Sequence, residues 1–378
     1  MKRIFLILSM ILAVAVAPCA AMAQEDAAEE EKINPKEIIF EHLGDGYGWE
    51  VPFNHHVRIP LPIIVRDYEG HWHIFSSSRL THGDEYDGFR IAGKDSAYKG
   101  KVVGFKPGPD GQLVEYRPWD FSITKNVLAA IIAAIVVFAC CMSVAHWYKT
   151  RGYKAPRKGT GFMELCIDFV YKGVIVPTLK DKARKFGPYL LTVFFFILVM
   201  NLLGLIVIFP GGANLTGNIA VTLVLALFTF FITNLFGTKH YWKEIFWPDV
   251  PLWLKFPLPI MPIIEIFGLF TKPAALTVRL FANMMGGHMI VLVLILLIFI
   301  FAAMGPVVTG ATTIVSIVFS LFMLLIDVLV SFIQAYVFTM LSTIFISLAQ
   351  EKEHEEHEKE HKQKNVAVTQ TAAATTAK

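Results

Sequence analysis

Charge and cysteine are both scarce in this sequence. Asp, Glu, Lys and Arg make up 17% of its 378 residues, whereas hydrophobic residues make up 55% and the mean hydropathy is +0.54. Soluble domains carry about 25% charged residues, so this composition indicates an integral membrane protein. The small net charge of +3 and the lack of a basic patch with interleaved aromatic residues argue against nucleic acid as a partner.

Other absences limit the chemistry. None of the four cysteines lies between residues 24 and 122, so no disulfide framework or cysteine metal site is expected there. No GxxxxGK[ST] phosphate loop occurs, so we expect no ATP site in this chain. We expect no cofactor and no metal either, because the N-terminal histidines lack the spacing of zinc ligands and are interpreted as surface side chains. These histidines are His55, His56, His71, His73 and His82.

The N-terminal third has the pattern of a signal peptide followed by an exported domain. Lys2 and Arg3 precede an apolar run and a small-residue cleavage site, which predicts a signal peptide over residues 1–23. Residues 24–122 are hydrophilic. Their runs RIPLPIIV and HWHIF, with the turn pairs Glu69-Gly70 and Asp87-Gly88, predict a small β-rich domain.

Residues 123–350 are predicted to form an all-α membrane domain with about five crossing helices. A cluster of Lys and Arg follows the first span directly, so the positive-inside rule places that end in the cytoplasm. The N-terminus is therefore expected outside, and the C-terminus in the cytoplasm within a charged tail, 351–378. The spans are predicted at 127–147, 189–209, 219–236, 262–301 and 312–349, with an amphipathic interfacial helix at 162–186.

The last two spans form a predicted hairpin, 262–349, with polar residues that are costly inside a membrane. Lys272, Arg279 and Gly286 lie at intervals of seven, and alanines and Asn283 fill the steps between them. One helix face is therefore cationic and lined with small side chains. Such a face suits close contact between Arg279 and a partner surface in the membrane.

The final span carries a matching polar stripe. If the last two spans pack antiparallel, the pairing of Arg279 with Gln334 and the pairing of His288 with Asp327 both imply a turn near residue 307. Gly305-Pro306 lies beside this position. Another break is expected at Gly310. The hairpin thus predicts one layer at Arg279, Asn283 and Gln334 and an outer layer at His288 and Asp327. The outer pair is either a proton relay or a buried cluster that locks the helices together. The stripe comprises Ser316, Ser320, Asp327, Ser331 and Gln334.

The sequence leaves the role of Asn218 open. Asn218 and Thr222 share a face near the outer end of the third span. Either the two side chains line a wet cavity, or Asn218 caps the helix. Glu265 and Lys272 lie two and one heptads before Arg279 on the same face of the predicted helix.

The run TKPAALTVRLFANMMGGH, residues 271–288, followed downstream by IQAYVF, residues 333–338, resembles subunit a of the rotary F-type ATP synthase. NLLGLIV and IAVTLVLAL strengthen the resemblance. It implies that Arg279 is the family's essential arginine, with Asn283 and Gln334 beside it. It also implies that His288 and Asp327 exchange the acidic and imidazole positions of familiar bacterial members, and that Asn218 replaces a frequent acidic residue.

The same resemblance implies a stator subunit in a bacterial inner membrane, with two half-channels that pass protons to and from a ring of c subunits. His288, Asp327, Asn218 and Ser331 would belong to the ion path, and Glu265 and Lys272 would line its exit to the cytoplasm. The expected partners are the c-ring, peripheral-stalk subunit b, lipid and, indirectly, the F1 sector. The alternatives are a secondary transporter, although no internal repeat is evident, and an assembly or anchoring protein.

Overall fold

The computed structural model describes residues 44–51, 54–93, 96–107, 113–152, 154–156, 159–206, 214–246, 260–302 and 305–350. The predicted signal peptide and charged tail lie outside the described residues. The chain divides into two compact units, Met1–Lys125 and Asn126–Lys378, which we call the β unit and the helical unit.

The described part of the β unit contains three antiparallel sheets, of order β1-β2, β4-β3-β8 and β5-β6-β7. The predicted runs RIPLPIIV and HWHIF fall in β2, β3 and β4. Positive φ angles of 96° at Gly70 and 77° at Gly88 mark the two predicted turns, a conformation that glycine adopts without steric cost. The strands are β1 Gly48–Val51, β2 Asn54–Pro60, β3 Pro62–Arg66, β4 Trp72–Ser76, β5 Phe89–Ile91, β6 Val102–Pro107, β7 Leu113–Tyr116 and β8 Trp119–Asp120.

Alternation along β3 sets the core of this unit. Ile63 and Val65 are fully buried with Phe75 and Leu80, whereas Pro62 and Arg66 are exposed on the opposite face. Successive side chains of a strand point to opposite faces, so a single strand supplies both the core and an outer surface.

The helical unit confirms the prediction of a mainly helical membrane protein. Among the residues that the structure describes, four helical runs are long and apolar enough to cross a membrane, at Lys125–Arg151, Gly159–Leu205, Ile263–Phe301 and Val307–Leu348, and a shorter apolar helix occupies Ile219–Leu235. The helices are α1 Lys125–Arg151, α2 Gly159–Val170, α3 Val176–Leu179, α4 Ala183–Leu205, α5 Ile219–Leu235, α6 Lys239–Phe246, α7 Ile260–Ala302 and α8 Pro306–Leu348.

Two predicted boundaries are wrong. The interfacial helix was expected to end at residue 186 and the second span to begin at residue 189, but the backbone already leaves the helical conformation at Lys180, with φ 49°, and α4 begins at Ala183. A π turn at Tyr171–Ile175 and a 3₁₀ turn at Lys180–Lys182 lie in this region. The expected break at Gly310 lies inside α8, which begins six residues before the predicted Thr312. A glycine costs a helix only about 1 kcal/mol, less than a long apolar helix gains by packing.

The turn itself lies where the polar pairs placed it. Gly305 is the N-cap of α8 with φ 111°, and Pro306 occupies the first helical position, where its missing N–H has no helical partner to lose. The centre of the helical unit is α4, whose Leu190, Phe194 and Ile197 are fully buried in the same apolar cluster as Phe338 of α8.

Candidate functional site

Helices α7 and α8 pack as an antiparallel hairpin. At one end, Thr309 Oγ1 lies 3.5 Å from the carbonyl oxygen of Phe301. At the other end, Lys272 Nζ lies 5.5 Å from the centre of the Phe345 ring. Both contacts lie within about one helical turn of the register that the polar pairs predicted, so the polar layers of the two helices lie at similar depths.

The outer layer is built on a glycine. A Cβ atom on Gly287 would lie 2.7 Å from Asp327 Oδ1 and 2.9 Å from Oδ2. The carboxylate therefore packs directly on the backbone of α7, next to His288, and both ionisable side chains are half-buried. The structure brings Asp327 to the level of His288, as predicted.

Arg279 faces away from the rest of the chain. Arg279 and Asn283 are exposed, as are Ala275 and Ala282, while the other side of α7 is buried through Leu276, Leu280 and Met284. We call the four exposed residues the arginine face. Its small alanines leave the guanidinium accessible to a partner helix, because small residues let backbones approach closely.

Gln334 lies on the buried side of the hairpin. It is 6% exposed, and Ser331 and Ser316 of the same stripe are 3% and 1% exposed. Among the described residues no hydrogen bond joins Arg279 to Gln334, and the Gln334 amide nitrogen has no partner. The inner layer is thus split between an exposed Arg279 and a buried Gln334.

A buried polar link connects the stripe to α4. Asn201 Nδ2 donates to the carbonyl oxygen of Ser331 at 3.4 Å, and Thr216 Oγ1 donates to Asn201 Oδ1 at 2.8 Å. The sequence analysis did not identify this link, and Thr216 lies outside every predicted span. An asparagine in an apolar span is the available signal for such a link, but its partners depend on the tertiary fold.

At the start of α5, Asn218 is a helix cap. Its Oδ1 accepts a hydrogen bond from the Ala220 N–H at 3.0 Å. Thr222 donates to the Ile219 carbonyl oxygen at 3.1 Å. Of the two interpretations that the sequence left open, capping is the one that the geometry shows.

A second polar region lies around Lys272. A cavity of about 20 Å³ is bounded by Lys272 and by Thr229, Asn234 and Tyr241 from α5 and α6, which is space for about one water molecule. Tyr241 donates to Asn234 Oδ1 at 3.3 Å. Burial first, and the Glu265 carboxylate second, raise the pKa of Tyr241, so Glu265 and Lys272 belong to one polar region.

In the β unit, the structure describes the side chains of His71 and His73 but not those of the other three histidines. Ligand atoms of Asp67, Glu69 and His71 lie within 4.8 Å of one another, close enough to hold a metal ion. Burial would raise the pKa of Asp67, but hydrogen bonds from the His71 N–H and from His73 lower it to about 2. Contacts between histidine rings and carboxylates therefore account for this exposed group, such as His71 Nδ1 with Asp67 Oδ2 at 3.5 Å.

Apolar helices that enclose ionisable residues at matching depths define an integral membrane protein with a polar intramembrane site. The family described as ATP synthase A chain matches residues 127–347, so the chain belongs to the ATP synthase subunit a family. A domain of unknown function, DUF8433, matches residues 38–121, most of the β unit.

Relatives from several bacteria agree with this assignment. The chain is 44% identical to "ATP synthase subunit a 2" of Chlorobaculum tepidum, over 66% of this chain and 69% of the relative. It is 42% identical to "ATP synthase subunit a 2" of Prosthecochloris aestuarii, over 67% and 76%. It is 39% identical to "ATP synthase subunit a" of Myxococcus xanthus, over 79% and 90%. The resemblance seen in the motifs is thus confirmed.

Proposed function

We propose that this chain is the ion-conducting stator subunit of the Fo sector of an ATP synthase. In this proposal, two half-channels deliver protons to the carboxylates of a rotating ring of c subunits and take them away again. The observation that supports it most is the division of the hairpin. Arg279 lies on an exposed face of small residues, whereas the polar stripe of α8 faces the interior.

The arginine face is the proposed contact with the ring. An ionised ring carboxylate is attracted to the guanidinium of Arg279, while a protonated carboxyl is neutral and can pass through lipid without a buried charge. Because arginine stays charged when it is buried, Arg279 also repels a proton that would cross directly from one half-channel to the other. Asn283, on the same face, can hydrogen-bond either form of the carboxyl.

The outer half-channel is proposed to follow His288 and Asp327 and the buried link from Thr216 through Asn201 to Ser331. Histidine titrates near neutral pH and a neighbouring carboxylate favours its charged form, so the pair can accept a proton at one level of the hairpin. Gln334, whose amide is buried one turn beyond Ser331, leads from this link towards the depth of Arg279. Asn218 is proposed to lie at the outer end of this half-channel, where its side chain caps α5.

The inner half-channel is proposed at the opposite end of the hairpin, around Glu265 and Lys272. The cavity beside Lys272 holds about one water, and Tyr241 and Asn234 add hydrogen-bonding groups to its wall. A proton released from the ring near Arg279 would leave by this route. Each charge that crosses supplies about 2.3 kcal/mol per 100 mV of membrane potential, so a rotating ring must collect several for each ATP.

The proposed topology has five crossings. Helix α5, with 17 residues, is about 26 Å long at 1.5 Å per residue, close to the 30 Å of a bilayer core. The β unit would be exported and the C-terminus cytoplasmic, in a bacterial inner membrane. The proposed partners are the c-ring, subunit b and, indirectly, the F1 sector, which would hold the ATP sites.

Disulfide cross-linking tests the contact between the arginine face and the ring. Ala282→Cys is paired with a cysteine in the carboxylate-bearing helix of the ring subunit, in assembled complexes. The matched control is Ile295→Cys, which is 44% exposed on the same helix but about 140° away around it at 100° per residue. We expect cross-links from position 282 only. Cross-links from position 295 alone would overturn the proposal.

A further inference from the structure

The β unit carries an exposed apolar sheet face that its own core does not use. Trp72, Ile74, Trp119 and Phe121 are 54%, 71%, 71% and 56% exposed. We call these four residues the aromatic face.

The four side chains form one continuous surface. Trp72 and Ile74 lie on β4, and Trp119 and Phe121 lie on or directly after β8, with β3 between these strands. Arg66 of β3 pairs with both Trp72 and Trp119 in the register of the sheet. The ring centres of Trp72 and Phe121 are 5.6 Å apart. The aromatic face therefore spans all three strands.

A sheet of this kind normally has one apolar and one polar face. Here Ile63, Val65 and Phe75 fill the core on the inner side, and the outer side is apolar as well. Antiparallel sheets that face water on one side alternate polar and apolar residues, and a contiguous exposed apolar patch indicates an interaction surface. The aromatic face thus requires a partner.

We propose that the aromatic face lies in the lipid–water interface of the membrane that α1 enters. The first argument is the short stretch of chain between the aromatic face and α1. Phe121 precedes Lys125, the first residue of α1, by four residues, so the two are at most about 14 Å apart along an extended chain. Within the β unit, the N–H groups of Phe121, Ile123 and Lys125 donate to the carbonyl oxygens of Ile64, Pro62 and Gly46.

The second argument is the chemistry of the residues. Tryptophan is enriched at membrane–water interfaces, where its ring is apolar and its N–H meets water. The charged group on this surface is cationic: the Arg66 guanidinium lies 5.8 Å from the centre of the Trp72 ring, placed to meet lipid phosphate. The acidic Asp120 of β8 is instead bound by the Tyr47 hydroxyl on the core side. Within the described strands β3, β4 and β8, Arg66 is the charged side chain on the outer face, and apolar rings with an arginine match a phospholipid surface.

Nitroxide labelling tests the proposal in the assembled complex. Ile74→Cys is labelled in a background whose native cysteines are alanine, and the complex is reconstituted into phosphatidylcholine–phosphatidylglycerol vesicles. Collisions with oxygen, which concentrates in lipid, are compared with those of a water-soluble nickel chelate. The control is Val114→Cys, which is 45% exposed on β7 of another sheet. We expect oxygen to dominate at position 74 and the nickel chelate at position 114.

Two results would overturn the proposal. Equal access of the nickel chelate to both positions would place the aromatic face in water, and exclusion of both reagents from position 74 would show that protein covers it.

A second measurement avoids the cysteine-free background. Lipids brominated near the headgroup should quench part of the tryptophan fluorescence, and this part should fall in the Trp72→Tyr/Trp119→Tyr variant. An unchanged quenched fraction would also contradict the proposal.

Discussion

The carboxylate of Asp327 rests on the backbone of Gly287, so that a Cβ atom at position 287 would lie 2.7 Å from Oδ1. This contact holds an ionisable group of α8 against α7 at the residue before His288. The close contact is possible because Gly287 has no side chain.

Gly287→Ala should therefore displace the Asp327 carboxylate without unfolding the hairpin, because the end of an aspartate side chain can rotate. We expect ATP-driven proton pumping to fall by about tenfold, since shifts of about 1 Å at a reacting group cost one or two orders of magnitude. Gly310→Ala is the matched control, because nothing lies within 4 Å of its Cβ position. Pumping at wild-type rates in Gly287→Ala complexes would show that Asp327 need not lie there.

Asn201→Leu should weaken the complex. It leaves the buried Thr216 hydroxyl without its partner, which costs about 1–3 kcal/mol, and it removes the additional bond to the Ser331 carbonyl, which keeps its partner within α8. The midpoint of thermal unfolding of the purified complex should drop by several degrees. Thr192→Val, at an exposed threonine that bonds only within its own helix at 2.8 Å, should change the midpoint little. Equal effects of the two substitutions would argue against the link.

The β unit should be less stable at pH 8 than at pH 6 because of His73. Desolvation alone would lower the pKa of His73, but the hydrogen bonds that its ring donates to the Asp87 and Asp67 carboxylates raise the pKa above the ordinary 6.5. The stabilisation is therefore complete below pH 6.5 and lost as the pH rises through the raised pKa. The opposite case is Asp67, whose pKa is about 2; its contribution is lost only in acid and is constant over this range.

Hydrogen exchange of peptides from β3 and β4, measured by mass spectrometry on the full chain, would detect this dependence. Protection in the wild type should decrease from pH 6 to pH 8 after correction for the intrinsic exchange rate, and His73→Gln should remove most of the decrease. His71→Gln, at a side chain that is 72% exposed, should preserve it. A wild-type protein with equal corrected protection at both pH values would contradict the assignment.

Deletion of residues 24–116 should leave ion conduction intact. Every proposed ion-path residue lies in the helical unit, which is a compact unit by itself, and the family match begins at residue 127. Passive proton flow through Fo, measured in vesicles stripped of F1, is the appropriate readout. Loss of flow in complexes that still assemble would show that the β unit takes part in conduction.

The sequence predicted the features that follow from the periodicity of polar residues and from the free-energy cost of a charge inside the membrane. A stripe of polar residues on an apolar helix has one way to face inward, so Ser316, Ser331 and Gln334 were predicted to share a face and are buried. The turn at Gly305-Pro306 followed from the pairing of polar layers, and the strands of the β unit followed from alternation and turn glycines.

The sequence did not predict contacts that depend on tertiary packing. Thr216 lies in a loop, and only the approach of α4 brings it to Asn201. Gly310 resembles a helix break locally, yet the long apolar helix continues through it. Likewise, only the structure shows that the outer face of β4 and β8 is exposed, because an apolar strand pattern is the same whether one face or two are buried.

The most direct test of the central claim is ATP-driven acidification of inverted membrane vesicles that carry Arg279→Ala, with assembly verified. Arg279→Lys, which keeps a positive charge but not the permanently charged, planar guanidinium, is the matched comparison. We predict that pumping is abolished by Arg279→Ala and greatly reduced by Arg279→Lys, either in tight vesicles or with a proton leak through the complex. Unchanged pumping in Arg279→Ala vesicles would contradict the account, since the exposed arginine would then serve packing or anchoring rather than ion transfer.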